Sequence, residues 1–176
     1  MYVTPPDLLA DVADDVGEIR QLLIELVAGA RTRVSVVTPF FSAAAFREIL
    51  GPLVAPEASV DLAIYLSLDA FELARGRVLR RALIEHFPAQ RTRFWLHVRP
   101  PGTSAALPHA KLLLCDGRVG YLGSANMSLH GLREQFEVGV RLGGDAVRAL
   151  EQALDALVAR NLYVPWEQAE DNAPQI

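Results

Sequence analysis

Alternating helix and strand patterns constrain the fold of this 176-residue chain more than any other feature. Apolar residues spaced three and four apart predict an amphipathic helix over residues 7–28, with Gly29 as its stop. Runs rich in β-branched and apolar residues predict three strands, separated by further helical patterns, at 32–40, 59–67 and 91–99. This order predicts an α/β sandwich with a mixed, largely parallel sheet, flanked by helices on both faces.

The second half of the chain adds a hairpin, a last strand and a closing helix. Asp116 and Gly117 stand between two apolar runs, and an Asp-Gly pair in that position is a strong signal for a hairpin turn. The predicted elements are strands at 109–115, 118–124 and 135–142 and a helix at 144–161. The length favours one domain, which we expect to span residues 1–164, with a loose tail at 165–176.

Composition limits the classes of protein to consider. A hydrophobic content of 51% suits a buried core, and a net charge of −4 argues against a generally basic nucleic-acid-binding surface. The N-terminus lacks the features of a signal peptide, and no apolar stretch is long enough to span a bilayer. The single cysteine, Cys115, has no partner for an internal disulfide. We therefore expect a cytoplasmic protein and consider membrane association unfavoured.

Polar side chains suited to holding a phosphate come together on the hairpin. Lys111 is the only lysine of the chain, and it lies two residues after His109, so the two side chains share a strand face. Ser124 and Asn126 share parity at the end of the neighbouring strand. An ammonium would supply positive charge, a hydroxyl and a carboxamide would donate to phosphate oxygens, and an imidazole could attack phosphorus or transfer a proton.

A carboxylate could complete this group without any metal ion. Glu137 lies on the polar side of its strand and could orient the imidazole through a hydrogen bond, although an ordinary edge-strand carboxylate is the alternative. The four histidines are scattered along the chain, and neither a cysteine cluster nor a glycine-rich phosphate loop accompanies them. The sequence therefore predicts phosphate chemistry that uses no metal and no other cofactor.

The spacing of these residues resembles the HKD signature of the phospholipase D superfamily. That signature is matched as His109-x-Lys111-x4-Asp116-x6-Gly123-Ser124-x-Asn126, and Glu137 falls where the family has its downstream acidic residue. The resemblance implies a phospholipase D-like fold and a metal-independent reaction. In it one histidine forms a phosphohistidine, a second protonates the leaving oxygen, and lysine and asparagine hold the phosphate. Asp116, Gly117 and Gly123 would be structural.

The chain carries one such motif, whereas an active site of this family uses two. A working site would therefore require a homodimer in which each copy supplies His109. Short single-motif members of the family include nucleases, and related small proteins occur in bacterial anti-phage defence. His130, in the Ser-Leu-His-Gly segment, could contact the substrate, although a solvated loop histidine is the alternative.

Three functions are compatible with these sequence features. The first is a phosphodiesterase, an endonuclease, that cleaves DNA or RNA. The second keeps the chemistry but acts on a phospholipid, and the absence of a basic amphipathic helix in the sequence counts against it. The third is a non-catalytic subunit that binds nucleic acid or the partner proteins of a bacterial defence system.

Overall fold

The computed structural model describes residues 1–4, 17–54, 59–67, 73–87, 92–99 and 109–171. Within those ranges the strands are β1 (Tyr2–Thr4), β2 (Gly17–Glu18), β3 (Arg33–Thr38), β4 (Val60–Leu66), β5 (Thr92–Val98), β6 (Lys111–Cys115), β7 (Val119–Gly123), β8 (Glu137–Gly143) and β9 (Val164–Pro165). The helices are α1 (Ile19–Gly29), α2 (Ala43–Leu50), α3 (Leu73–His86), α4 (Leu129–Arg133), α5 (Gly144–Ala159) and α6 (Trp166–Asp171), and a 3-10 turn at Gly51–Val54 follows α2.

The strands form one mixed sheet in the order β2-β1-β8-β7-β6-β3-β4-β5-β9. Parallel pairing joins β3, β4 and β5, as the helix–strand alternation predicts, and also joins β1 to β2. The other described pairs, from β3 through β6, β7 and β8 to β1 and from β5 to β9, are antiparallel. The prediction of a mixed sheet is confirmed, but three parallel pairs out of eight make it less parallel than predicted. A tight turn joins β6 to β7 and a short connection joins β7 to β8, whereas the other antiparallel pairs join strands that are distant in the chain.

Helices cover the two faces of the sheet unequally. Apolar residues from α1, α2, α3, α4 and α6 form a core with one face, which we term the helix-rich face. On the opposite face, which we term the α5 face, Val147 and Leu154 of α5 pack against Leu112 and Leu114 of β6. The prediction of helices on both faces is confirmed. No helix among the described residues is long and apolar enough to cross a membrane.

The first helix begins later than its periodicity predicts. Gly17–Glu18 forms a strand beside β1, and α1 starts at Ile19, whereas residues 7–16 lie outside the described ranges. A β-carbon at position 17 would lie 2.7 Å from the ring of Tyr2, so only glycine fits this pairing without rearrangement. Strand pairing to β1 therefore replaces a helical turn that the apolar spacing alone would favour.

The prediction of a loose tail from Pro165 is wrong for residues 165–171. Val164 and Pro165 pair with β5 as strand β9, and α6 follows directly. The Trp166 side chain is buried in the core of the helix-rich face, together with Ala169. Burying one large aromatic side chain contributes enough free energy to order a short segment. The segment is too short for its apolar spacing to predict a helix. Residues 172–176 lie outside the described ranges.

Candidate active site

The residues of the signature meet at one end of three neighbouring strands, where β6 begins, β7 ends and β8 begins. Lys111 of β6, Gly123 of β7 and Gly139 of β8 lie side by side in one row of the sheet. His109 precedes this row, Ser124 follows Gly123, and Glu137 opens β8. The antiparallel hairpin therefore brings together side chains that are up to 28 positions apart in the sequence.

The Lys111 ammonium contacts the imidazole of His109. Its Nζ atom lies 2.8 Å from Nδ1 and 3.2 Å from Nε2, and it donates to the His109 carbonyl oxygen at 3.0 Å. Lys111 is only 5% exposed, whereas His109 is exposed to solvent. Burial lowers the pKa of Lys111, and the negative charge of Glu137 opposes that shift. An ammonium only donates hydrogen bonds, so the ring nitrogen that it contacts must be an acceptor.

Ser124 and Glu137 form the second part of the site. The Ser124 hydroxyl donates to the buried Glu137 carboxylate and accepts a hydrogen bond from the Val138 N–H at 3.0 Å. The Ser124 N–H donates to the Val138 carbonyl oxygen, also at 3.0 Å. This double link fixes the end of β7 to the start of β8. The described contacts of Glu137 and His109 do not include the predicted orienting bond between them, and the carboxylate is paired with Ser124 instead.

The segment after β7 carries Asn126 across the start of β6. Met127 is anchored beyond β6, because its N–H donates to Thr38 Oγ1 at 3.2 Å and its carbonyl accepts from the Ser42 N–H at 2.8 Å. Since β6 lies between β7 and β3, the chain between these anchors must cross the β6 end that holds Lys111. The Oδ1 atom of Asn126 is buried and has no hydrogen-bond partner. An amide oxygen only accepts hydrogen bonds, so this atom is available to a group that donates one, and the amide N–H2 is the part of Asn126 that could donate to a phosphate.

Asp116 lies in the hairpin turn and links it to the start of β3. Asp116 and Gly117 have φ values of 55° and 63°, as a tight hairpin turn of the Asn-Gly and Asp-Gly kind requires. The Asp116 carboxylate accepts hydrogen bonds of 2.8–2.9 Å from three successive backbone N–H groups and one hydroxyl at the start of β3, in residues 31–33. Burial alone would raise the pKa of Asp116, but these hydrogen bonds lower it below its ordinary value.

Replacing Asp116 with alanine should therefore reduce stability and not chemistry. We expect the free energy of unfolding to fall by about 2–3 kcal/mol, because several charge-assisted hydrogen bonds are lost. The folded-state pKa is lowered, so this contribution is complete above the unfolded pKa of about 4 and disappears as the pH falls through the folded-state value. Denaturant unfolding at neutral and at acidic pH measures both effects.

The matched control for that variant is Asp145→Ala, at an exposed aspartate in the first turn of α5. It should lower the unfolding free energy by less than about 1 kcal/mol. Equal losses for the two variants, or an Asp116→Ala loss that stays constant down to strongly acidic pH, would contradict the structural role assigned to Asp116.

His130 occupies a helix and not the predicted loop. Ser128 caps α4 by accepting a hydrogen bond from the Gly131 N–H at 3.1 Å, and His130 lies in the first turn. Its Nδ1 atom lies 2.7 Å from a carboxylate oxygen of Glu134, and the side chain is exposed. The imidazole is thus free of the Lys111–Glu137 group, and its contact with a substrate stays a prediction.

The sequence patterns did not identify Tyr121, Gly123 and Gly139 as a packed group beside the site. The buried ring of Tyr121 occupies the space above Gly123 and Gly139, where a β-carbon at either position would overlap it. Burial raises the pKa of Tyr121 to about 12. The Tyr121 ring thus occupies the space on the face of the sheet directly beside Lys111. The available signal was two glycines, Gly123 and Gly139, in neighbouring predicted strands close to a tyrosine, but only the register shows that all three meet.

Comparison with known proteins agrees with this architecture. A family model described as cardiolipin synthase, PLD-like domain, matches residues 23–158. The solved structure of NucT from Helicobacter pylori has a TM-score of 0.59 at 14% identity, over 82% of this chain and 89% of that one. The phospholipase D family member Nuc from Salmonella typhimurium also gives 0.59, at 18% identity, over 83% of this chain and 89% of that chain.

Two further relatives are larger than this chain. Phosphatidylserine synthase from Haemophilus influenzae has a TM-score of 0.61 at 13% identity, over 85% of this chain and 37% of that one. The DISARM protein DrmC from Bacillus paralicheniformis is 31% identical over 55 residues, which make up 31% of this chain and 23% of that protein. The structural matches show the shared fold, and the family model covers most of the chain, including the whole hairpin. The chain therefore belongs to the phospholipase D superfamily.

Proposed function

We propose that this protein is a metal-independent phosphodiesterase that cleaves nucleic acid, through a phosphohistidine intermediate on His109. The observation that carries the proposal is the buried Lys111 ammonium in contact with the exposed imidazole of His109, at the edge where β6, β7 and β8 meet. A fixed positive charge beside a nucleophile stabilises the charge that builds up on a phosphate oxygen during attack. The superfamily to which the chain belongs includes phosphodiesterases and nucleases.

In the first step, an unprotonated ring nitrogen of His109 attacks phosphorus. The bond from phosphorus to the leaving oxygen breaks, and that oxygen receives a proton from a second imidazole. The Lys111 ammonium and the Asn126 amide hold the non-bridging oxygens. Ser124 acts through its hydrogen bond to Glu137, which fixes the position of the carboxylate beside Lys111.

In the second step, water attacks the phosphohistidine. The second imidazole, which now lacks its proton, accepts one from this water, and the bond between phosphorus and the His109 nitrogen breaks. One copy of the chain supplies one histidine of this motif. We therefore propose a homodimer in which His109 of one copy attacks and the second copy's equivalent imidazole transfers the proton.

Nucleic acid is the proposed substrate because of the relatives that resemble this chain. The structural neighbours NucT and Nuc match it over most of their own length. The partial match to the DISARM protein DrmC supports a role in bacterial defence, with partner proteins of such a system. That match covers residues amounting to 23% of DrmC, so the defence role rests on a part of that protein.

A phospholipid is the second candidate substrate. The matching family model is described by cardiolipin synthase, and one structural neighbour is a phosphatidylserine synthase, so the same phosphodiester chemistry on a lipid headgroup has support. This candidate shares every catalytic residue with the first. The two candidates differ only in the substrate that is cleaved, and that difference is directly measurable.

The test uses purified wild-type protein with four substrates: plasmid DNA, single-stranded DNA, RNA and phosphatidylcholine vesicles, all in excess EDTA. We expect cleavage of a nucleic acid at a rate that chelation does not change, and no cleavage by His109→Ala. Turnover of phosphatidylcholine alone would replace nucleic acid by the lipid. Binding of nucleic acid without cleavage of any substrate would support a non-catalytic subunit and contradict the proposal.

A further inference from the structure

A cleft lies on the α5 face, between the last turns of α5 and the parallel strands β3, β4 and β5. Its volume is about 510 Å³, within the range of small-molecule sites in proteins. Side chains of the three strands form its floor, and Asp155 and Val158 of α5 form one wall. A cavity of this size and position can hold a small ligand.

This cleft is separate from the candidate active site. Ala63 and Tyr65, which line the cleft, pack in the core of the α5 face. Lys111 lies two positions before Leu113, whose side chain packs in the core of the helix-rich face, so the Lys111 side chain points to that other face. The sheet therefore lies between the two sites, and a ligand in the cleft would not contact Lys111.

Aromatic rings form the floor and the outer rim of the cleft. Tyr65 and His97 lie opposite each other on β4 and β5, and their rings stack with centroids 4.7 Å apart and planes 10° apart. The next pair on the same face joins Ala63 to Trp95, whose side chain remains 44% exposed. A large exposed ring beside the space that an alanine leaves is a platform on which a flat ligand can stack.

Polar groups surround this aromatic platform. The Arg33 guanidinium donates to the Asp155 carboxylate at 3.3 Å, and Asp61, opposite Arg33 on β4, adds a second carboxylate to the lining. The Nδ1 atom of His97 is buried and has no hydrogen-bond partner among the described residues. An unpaired buried nitrogen costs free energy, which a polar ligand can recover. The lining thus suits a flat ligand that carries polar atoms along its edge.

The charges of the lining disfavour a phosphate group. Among the lining residues that the structure describes, the one guanidinium, that of Arg33, is already paired with Asp155. The imidazole of His97 adds no positive charge at neutral pH, because burial lowers its pKa. An anion would therefore meet two carboxylates, whereas a neutral ring with an amino group can donate to one of them.

We propose that this cleft is a binding site for a nucleobase, carried by an uncharged nucleoside. The base stacks on Trp95, and an N–H group on its edge donates to the Asp61 carboxylate. A nucleobase fits better than an aromatic side chain of a partner protein, because a phenyl or indole ring lacks the several polar edge atoms of a base. The inference goes beyond the proposed function, since it does not depend on phosphodiester cleavage.

The test is isothermal titration calorimetry with adenosine, guanosine, cytidine and uridine, and with the corresponding monophosphates. We expect at least one nucleoside to bind, about fivefold or more tightly than its monophosphate, because the added phosphate is repelled by the carboxylates. Trp95→Leu should weaken this binding at least about tenfold, because stacking is lost. The matched control, Phe136→Leu, removes another exposed ring, outside the cleft, and should leave the affinity unchanged.

Tryptophan fluorescence locates the ligand without any variant, and it also serves if Trp95→Leu fails to fold. Stacking on Trp95 should quench the emission, whereas Trp166 is buried in the core of the helix-rich face and should not respond. Binding without quenching, or binding that Trp95→Leu retains, would overturn the site. The absence of binding by all four nucleosides would overturn it as well.

His109→Ala distinguishes this inference from the proposed function. It should abolish cleavage and leave nucleoside affinity unchanged, and loss of nucleoside binding in this variant would place the ligand in the candidate active site instead. Nucleoside binding by a wild-type protein that cleaves no substrate would support the cleft and contradict only the proposed function. A single-stranded oligonucleotide that binds more tightly than any nucleoside, and that Trp95→Leu releases, would overturn the free nucleoside in favour of a base within a strand.

Discussion

Replacing His109 with alanine is expected to lower the rate of phosphodiester cleavage at least about 1,000-fold. Removal of the nucleophile leaves Lys111 and Asn126 to bind phosphate but leaves no group to form the covalent intermediate. In a dimer the loss is greater than one residue suggests, since both imidazoles of the shared site are removed together. Because the His109 side chain is exposed and outside the core, the midpoint of thermal unfolding should stay within about 2 °C of wild type.

The control for loss of an imidazole is His86→Ala. His86 is the last residue of α3, and β5 follows α3 in the chain. The start of β5 lies at the opposite end of the strands from the end of β3, where the candidate site lies. This variant should cleave at the wild-type rate. Added imidazole should partly restore cleavage by His109→Ala, because a small molecule can occupy the vacated space. Activity of His109→Ala within tenfold of wild type would remove His109 from the chemistry.

Lys111→Arg should lower kcat about 100-fold or more, although the positive charge is kept. Lys111 is almost fully buried, near His109 and Glu137. The ring of Tyr121 fills the space over the neighbouring glycines, Gly123 and Gly139. A planar guanidinium is wider than an ammonium and cannot occupy this volume without displacing the imidazole. Steady-state kinetics on the substrate that the wild-type protein cleaves measures the effect.

Arg118→Lys supplies the reverse exchange at an exposed position in the same hairpin and should leave kcat unchanged. The alkaline side of the pH profile gives a second readout. Burial lowers the pKa of Lys111 below its ordinary 10.5, so the wild-type rate should decline at alkaline pH as the ammonium loses its proton. An arginine stays charged, so the residual rate of Lys111→Arg should lack that decline. Near wild-type kcat in Lys111→Arg would show that charge alone suffices.

The sequence predicts the site better than it predicts the sheet. Fixed spacing across a strand, an Asp-Gly turn and a second strand is a local pattern, so the convergence of Lys111 with Ser124 could be derived from strand parity. The register pairs Lys111 with Gly123, so Ser124 lies one residue beyond Lys111's row, and its hydroxyl donates to Glu137. The hydrogen bond between Ser124 and Glu137 joins two separate strands, and parity alone could not decide whether serine or histidine would be the partner of the carboxylate.

Non-local pairing explains the remaining differences. The β1–β2 pair and the packing of Trp166 depend on contacts between distant parts of the chain, which periodicity does not encode. The unequal covering of the two sheet faces likewise follows from the strand order, because the same Leu122 would be buried in a sheet with a second helix on that face. Whether Leu122 is buried or exposed can therefore be predicted only once the strand order shows which strands a helix covers.

The stereochemical course at phosphorus reveals whether His109 forms a covalent bond to the substrate. The substrate is a nucleic acid with one phosphorothioate of defined configuration, and the wild-type protein cleaves it in heavy-oxygen water with excess EDTA. Attack by His109 followed by attack of water comprises two in-line displacements, each with inversion, so we predict net retention of configuration. Net inversion would mean that water attacks phosphorus directly and would contradict the phosphohistidine intermediate.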